Sequence, residues 1–404
     1  NGISDPENEE INYYYPTKDL VTAPEILFFW VARMIIAGYQ YRDDKPFEHV
    51  YLTGIVRDKQ RRKMSKSLGN SPDPLALISQ YGADGVRTGM LFSSPAGNDL
   101  LFDEKLCEQG RNFSNKIWNA LRLVKGWEVI DGDNHENHQS IAWFSHRYNQ
   151  ALAEVEDHFS KFRISDALMT LYKLVWDDFC SWYLEMVKPD YQHPIDSNTL
   201  NQTIEFFETL MKLLHPFMPF ITEEVWHELI ERKETDCIIV ASWPQKIDYD
   251  TDLLRQVDRI FEAISQVRHV RAQSQTPPKE KIGLHIRTNS SDLYQLYQGA
   301  IMKLAGLSDI EFCDTLPDLP GSGFVVRDDE FLLMTPETSD PAQDKKQLEK
   351  ELEYTRGFLK TVEKKLANQR FVDNAPPQVV ENEKKKKEDA EAKIKTLEAS
   401  LGKL

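Results

Sequence analysis

The sequence has no apolar run of the roughly 18 residues that a bilayer-spanning helix needs. Its best contender, ILFFWVARMIIAGY, is short and is cut by Arg33, so no membrane association is expected. The opening ten residues are polar and acidic, and no secretory leader is read there. Cysteine is scarce. Cys107, Cys180, Cys237 and Cys313 lie far apart and form no CxxC pair, which points to neither a zinc site nor a disulfide framework and fits a reducing cytoplasm. No protein-bound metal is expected. Basic charge is not in excess either: 49 Lys and Arg against 65 Asp and Glu leave −16. That argues against a generally basic nucleic-acid binder. A GxxxxGK phosphate loop is missing as well, which excludes the usual P-loop NTPase pattern. The chain starts abruptly at Asn1 rather than Met and is read as a piece of a longer protein.

What is there is ample for folding. The 404 residues suit about two to four domains, and 41% hydrophobic with 11% aromatic content supports packed cores. The charge is uneven. Residues 341–404 hold 15 basic and 12 acidic side chains, or +3, which leaves −19 on the rest. Contact with a polyanion is therefore expected to be local.

Four regions separate. Residues 1–100 mix strands and helices. TAPEILFFWVARMIIAGY (22–39) reads as a buried helix, with Thr22 and Glu25 at capping-box spacing and Pro24 in the first turn. HVYLTGIV (49–56) reads as a buried strand, and DPLALISQYGADGVRTGMLFSS as helix, glycine turn, helix. Residues 101–245 read as a helical bundle of four helices, near 104–127, 140–162, 164–188 and 198–230, with apolar residues at three- and four-residue spacing. Residues 246–340 read as a small α/β domain: a helix over 251–272, a strand at IGLHIRT, a helix over 292–305, and strands around IEFC and FVVRD. In residues 341–404, Leu348, Leu352, Thr355, Leu359, Val362 and Leu366 form one heptad seam. Val380, Glu383, Lys387, Ala390, Ile394, Leu397 and Leu401 form another. Pro376 and Pro377 separate them, so an antiparallel coiled-coil hairpin is expected, with a disordered charged tail as the alternative. Glu383 and Lys387 on the seam weaken the start of the second helix.

The densest chemistry lies in RDKQRRKMSKSLGN (57–70), where Arg57, Lys59, Arg61, Arg62, Lys63 and Lys66 fall within ten residues. By composition alone this is equally a solvated surface or a localisation-type cluster. Its position between a strand and a helix suits an anionic ligand better. Lys63 and Lys66 offer compact charges, Ser65 and Ser67 offer hydroxyl donors, and Gly69 lets the backbone turn closely.

KMSKS at 63–67 matches the signature loop of class I aminoacyl-tRNA synthetases. KMSKSLGN with YGADGVRTGML resembles the valine, isoleucine and leucine branch. TAPEILFFWVARMI, VYLTGIVRD and the heptad hairpin resemble its valine-specific members. RNFSNKIWNALR, FCSWYLEMVKP and HPFMPFITEEVWHEL are similar to that branch's anticodon-binding bundle. The resemblance covers nearly the whole chain. It implies a multidomain, mainly α protein: the C-terminal part of a Rossmann-type α/β catalytic domain with the KMSKS loop (1–100), an anticodon-binding helical bundle (101–245), a small α/β linker domain (246–340) and an antiparallel coiled-coil tRNA-binding arm (341–404). The implied activity couples valine to ATP, with Mg2+ as counter-ion, and passes valine to tRNA(Val) in a monomeric cytoplasmic enzyme. The isoleucine-specific members and a non-catalytic tRNA-binding module are the alternatives. The family's HIGH-type motif and editing domain are not in this sequence, so the chain alone is expected to lack activation and editing.

By the same resemblance Lys66 is the first candidate for direct ATP contact and Lys63 the second, with Met64, Ser65, Ser67 and Gly54 also at the ATP site. Two ammonium groups there would stabilise the charge that builds on departing pyrophosphate. Glu25 would hold the valine ammonium, with Ile26 and Trp30 shaping the apolar pocket. Glu25 is one methylene longer than the family's usual Asp. Its alternative role is as capping partner of Thr22, and Trp30 is otherwise plain core. For tRNA, Arg111, Asn115 and Lys116 of the bundle are candidates, while Phe113 and Trp118 read more simply as core. On the arm the candidates are Arg356, Lys360, Lys364, Lys365 and Arg370, whose phosphate contacts would be salt-sensitive. His215 is read as a core or turn histidine without a catalytic role.

Overall fold

The structure, a computed structural model, describes residues 7–94, 98–335, 341–369, 371 and 377–401; of residues 66, 341–345, 347, 348, 377, 378, 399 and 400 it describes the backbone alone. The chain divides into two compact units. One is Asn1–Asn134 with Phe144–Tyr249, and the other is His135–Trp143 with Asp250–Leu404.

The first unit begins with helix α1 (Glu9–Tyr14), strand β1 (Thr17–Thr22), helix α2 (Ala32–Arg42) and strand β2 (Phe47–Leu52). β1 and β2 pair in parallel, Thr17 opposite Phe47 and Thr22 opposite Leu52, as strands joined by a crossover helix do. A 3-10 turn at Pro24–Ile26 and a π-helical turn at Leu27–Val31 lead into α2. Two expectations are corrected here. The 22–39 segment is not a buried helix: Phe28, Phe29 and Trp30 are 77%, 70% and 52% exposed, and Val31 alone among 24–36 is in the core. The surface on which these side chains would pack is not furnished by the described residues. The capping box does not form either. Ala23 precedes the turn without a side-chain cap, and Thr22 ends β1, where its carbonyl accepts from the Thr53 amide. The 49–56 strand is likewise interrupted and not buried, with His49 and Val50 exposed and 51–56 half-buried. β2 stops at Leu52, and β3 (Val56–Arg57) resumes beside β4 (Leu100–Leu101).

Helices α3 (Pro74–Tyr81) and α4 (Ala83–Phe92) follow as expected. Asp73 caps the first through the Leu75 amide, and Gly82 at φ 77° breaks the two apart. α5 (Glu104–Lys125) buries Cys107, Gly110, Phe113, Ile117, Leu121 and Val124 on one face. After β5 (Val129–Ile130), helix α6 (His135–Ser160) runs to α7 (Ile164–Lys173), which continues through a π-helical stretch into α8 (Leu184–Val187). β6 (Ile195–Asp196) pairs with β5, and α9 (Ser197–Leu214) and α10 (Pro219–Leu229) close the unit. Phe144, Phe179, Tyr183, Phe206 and Phe207 form its aromatic centre. The expected single helix over 198–230 is two helices, because Pro216 and Pro219 interrupt the hydrogen-bond ladder. Arg87 of α4 binds the freed Pro216 and Phe217 carbonyls, and the Asp84 carboxylate accepts from the Ile221 amide. His215 lies in this turn as read, its Nδ1 2.8 Å from Thr222 Oγ1.

In the second unit, α11 (Thr251–Gln273) packs on a four-stranded sheet formed by β7 (Ile282–Arg287), β8 (Leu307–Phe312), β9 (Ser322–Val326) and β10 (Asp329–Leu333), in the order β8-β7-β10-β9. Helices α12 (Ser291–Leu296) and α13 (Gln298–Ala305) link β7 to β8, its parallel neighbour. β10 was not anticipated. It opens with Asp329 and Glu330, both buried, and its charges are met from elsewhere. Arg259 and Tyr294 donate to Asp329 at 2.6 and 2.5 Å, and Arg287 donates to Glu330 at 2.6 Å. Helices α14 (Pro341–Leu366) and α15 (Pro377–Leu401) pack together. Every seam residue whose side chain is described is buried or half-buried. Glu383 and Lys387 are met across the pair by Lys365 at 3.6 Å and Glu363 at 3.2 Å. At the other end Leu397 is fully buried against Val325.

Candidate active site

The basic run begins where β3 leaves its pairing with β4 and turns sharply back. The Asp58 amide donates to the Arg62 carbonyl, the Arg61 amide donates to the Asp58 carbonyl, and Arg61 takes a left-handed φ of 64°. Arg57 and Lys63 then face each other as an antiparallel bridge. Gly54 is demanded by the neighbouring chain, since a Cβ there would stand 1.6 Å from the Asn98 carbonyl oxygen. Asp99 ties the same crossing by accepting from the Ile55 amide and the Arg57 guanidinium, and this pairing holds its carboxyl below the usual range.

Two residues that the sequence reading did not single out organise the loop. Asp58, only 7% exposed, accepts from the Gln60 and Arg62 amides through Oδ1 and from Arg62 Nε and Asn70 Nδ2 through Oδ2, all at 2.8–3.0 Å. The Asn70 amide and the Arg62 donors together lower its pKa to about 2. Asn70 returns the favour through its own Oδ1, which accepts from the Ser65 amide at 2.9 Å. The loop is thus closed across twelve residues. The sequence signal was available: an acidic residue opening a turn and an asparagine following a glycine are both side chains that bond locally to backbone.

On this brace the KMSKS residues separate into two roles. Met64 points inward and packs against the cluster of Leu77, Tyr81, Leu100, Phe102 and Cys107. Ser65 Oγ and Ser67 Oγ lie 3.1 Å apart, and Ser65 Oγ also accepts from the Leu68 amide, holding a 3-10 turn over Lys66–Leu68. Gly69 at φ 63° ends it. Lys63 extends outward and donates to Glu25 Oε2 at 2.8 Å. The structure therefore brings together two residues assigned to different ligands. Ile26 and Trp30, 46% and 52% exposed, lie in the turns directly after Glu25. Exposed ammonium and hydroxyl groups on a loop with a fixed root fit a polyphosphate, which needs donors rather than acceptors.

The RNA candidates are spread apart. On α5, the Arg111 guanidinium lies 5.6 Å over the Tyr81 ring and the Lys116 ammonium 5.5 Å over Trp176, while Asn115 is exposed. Phe113 is core as read. Trp118 is at the surface, 37% exposed, a correction that follows from its place on the face of α5 away from Phe113 and Ile117. On α14, Arg356 pairs with Glu398 at 2.6 Å and Lys365 with Glu383. Lys360 and Lys364 are exposed. Arg370 lies outside the described residues.

Comparison with known families matches these parts in order. Residues 2–103 match tRNA synthetases class I (I, L, M and V), residues 142–287 the anticodon-binding domain of tRNA ligase, and residues 340–404 the valyl tRNA synthetase tRNA binding arm. The fold and the loop are thus those of a class I tRNA synthetase. Its curated relatives narrow this. The valine–tRNA ligase of Christiangramia forsetii is 54% identical over 403 residues, that of Parabacteroides distasonis 51% over 406, and that of Phocaeicola vulgatus 50% over 405. The alignments take in 99–100% of this chain and 46% of each relative. The chain belongs to the valine–tRNA ligase family and spans just under half the length of these relatives. Among the described residues no helix is long and apolar enough to cross a membrane.

Proposed function

We propose that the chain is the C-terminal part of an enzyme that joins valine to tRNA(Val) at the expense of ATP. In this reading the valine carboxylate attacks the α-phosphorus of ATP, the bond to pyrophosphate breaks, and valyl-adenylate then gives up valine to tRNA. Lys66 and Lys63 bind the phosphates and neutralise the charge that moves onto pyrophosphate, where two ammonium groups act most strongly in the transition state. Ser65 and Ser67 add donors. Gly54 and Met64 contribute to the ATP site by fixing the loop's root rather than by reaching out. Mg2+ accompanies ATP as its counter-ion. Glu25 takes the valine ammonium, and Ile26 and Trp30 bound the side-chain pocket, where a methylene is worth only about 1–3 kcal/mol.

The observation that carries this reading is the ion pair that joins Lys63 of the basic loop to Glu25. Residues 1–100 are assigned to the catalytic domain, 101–245 to the anticodon-binding bundle, 246–340 to a linker domain and 341–404 to an antiparallel coiled-coil hairpin. Ion pairs 351–393, 363–387 and 365–383 support opposite helix directions. Exposed Lys360 and Lys364, with Arg356, Lys365 and Arg370, give the hairpin a phosphate-binding edge. Arg111, Asn115 and Lys116 serve the anticodon bundle. The enzyme is read as a cytoplasmic monomer.

Lys66→Ala in the intact enzyme is expected to slow valyl-adenylate formation by at least ~100-fold, and near-normal pyrophosphate exchange would refute the role. Deleting 341–404 should weaken tRNA binding and flatten its salt dependence while sparing valine activation. Unchanged tRNA affinity across a salt series would count against the arm.

A further inference from the structure

We propose that Glu25 is a counter-charge shared by two ligand sites, holding Lys63 of the basic loop until the ammonium of the amino acid replaces it. The inference rests on the reading of Glu25 as part of the valine site and of Lys63 as part of the ATP site. The two side chains are 38 residues apart in sequence and 2.8 Å apart in space. Lys63 occupies Oε2 of Glu25, so a ligand ammonium that takes the same oxygen displaces that partner.

The exchange is chemically balanced. Lysine and an amino acid both present an alkylammonium with three donors, so Glu25 trades one cation for another. Lys63 in turn trades a carboxylate for a phosphate oxygen. Neither side needs a change of protonation.

The geometry makes the trade easy. The side chains of Lys63 and Glu25 are 58% and 51% exposed, so breaking the pair strands no buried charge. The backbone of Lys63 does not have to move. It is bridged to Arg57, its neighbour Met64 is seated in the core cluster, and its carbonyl faces the Asn70 amide at 3.4 Å. Only the side chain swings.

The consequence is coupling between the two small substrates. Whichever binds first breaks the pair, and the second then binds without that cost. By reciprocity each ligand tightens the other by the same factor. An exposed pair of this kind corresponds to roughly two- to fivefold.

The test uses the intact synthetase and valine titrations by calorimetry, with and without an ATP analogue carrying a methylene between its α- and β-phosphates. Wild type should bind valine roughly two- to fivefold tighter with the analogue present. Lys63→Met removes the cation that valine must displace. It should bind valine more tightly than wild type without the analogue and lose the coupling, a gain that a merely structural lysine would not produce. Retained tRNA affinity and circular dichroism establish that the variant is folded. If Lys63→Met binds valine like wild type or more weakly, or wild type shows no coupling, the exchange is overturned. Glu25→Gln separates the two levels. If it leaves valine affinity unchanged, the assignment of the valine site itself fails. If it weakens valine while Lys63→Met has no effect, the site stands and the exchange falls.

Discussion

Replacing Asn70 by alanine tests the brace of the basic loop. Asn70 makes two firm hydrogen bonds, accepting from the Ser65 amide and donating to Asp58, each at 2.9 Å, and a looser one to the Lys63 carbonyl at 3.4 Å. Alanine removes all three without opening a core, because Asn70 is half-buried on a loop. Asp58 keeps its bonds from the Gln60 and Arg62 amides and from Arg62 Nε. The turn at 58–62 therefore survives, while the stretch carrying Lys63 to Lys66 loses its tie. At about 1 kcal/mol net for each firm bond, the bias toward the observed loop falls by about 2 kcal/mol. Each 1.36 kcal/mol is tenfold in rate, so ATP–pyrophosphate exchange in the intact enzyme should slow by about 30-fold. Melting temperature and tRNA affinity should hardly change. Asn70→Asp should not rescue, since it sets a second carboxylate against Asp58. Exchange within about threefold of wild type, less than 1 kcal/mol, together with unchanged protection of the Ser65 amide in hydrogen exchange, would refute the brace.

Arg61→Gly should stabilise the protein by up to about 1 kcal/mol, read as a rise in melting temperature, because arginine there holds a left-handed φ of 64° that glycine adopts freely. Gly54→Ala should cost about 1–3 kcal/mol and disturb the β3–β4 pairing, since its Cβ would collide with the Asn98 carbonyl; hydrogen exchange at Leu100 and Phe102 reads this. The Asp58 carboxyl is depressed from 3.8 to about 2. Its contribution is therefore complete above the ordinary carboxylate range and is lost as pH falls through about 4 to 2. Ser65 amide protection, corrected for intrinsic exchange, should hold from neutrality to about pH 5 and decline below about 4, and Asp58→Asn should abolish that acid limb. Asp329→Asn should destabilise the second unit by about 1–3 kcal/mol in thermal unfolding, because half-buried Arg259 and the Tyr294 hydroxyl lose a charged acceptor at a fully buried position.

Features set by neighbours in sequence were legible from sequence. The glycine break between α3 and α4, the buried face of α5 and the heptad seams of α14 and α15 each depend on spacing along one element. Features set by partners far away were not. The apolar 24–39 segment states what those side chains require, not whether the surface they require is at hand. β10 was not anticipated, and Arg259 and Arg287, which neutralise its opening Asp329 and Glu330, come from other elements. The loop's lysines were visible as charge, but Asp58 and Asn70 gain their role only when a twelve-residue loop closes. The Glu25–Lys63 pair joins positions that no local pattern relates. It also explains why the capping-box reading of Glu25 failed: the carboxylate had a better partner in space.

The β1–β2 sheet has a practical consequence. Two parallel strands leave one unpaired edge on each side among the described residues, and the rings of Phe28, Phe29 and Trp30 in the turn that follows β1 are exposed as well. Open edges next to apolar surface are templates for further strands. Purified by itself at high concentration, this polypeptide should gather into assemblies that reflect an unfinished sheet. Their stoichiometry would report the stickiness of that sheet, and solubilising charges on β1 would shift it without touching the chemistry of the loop.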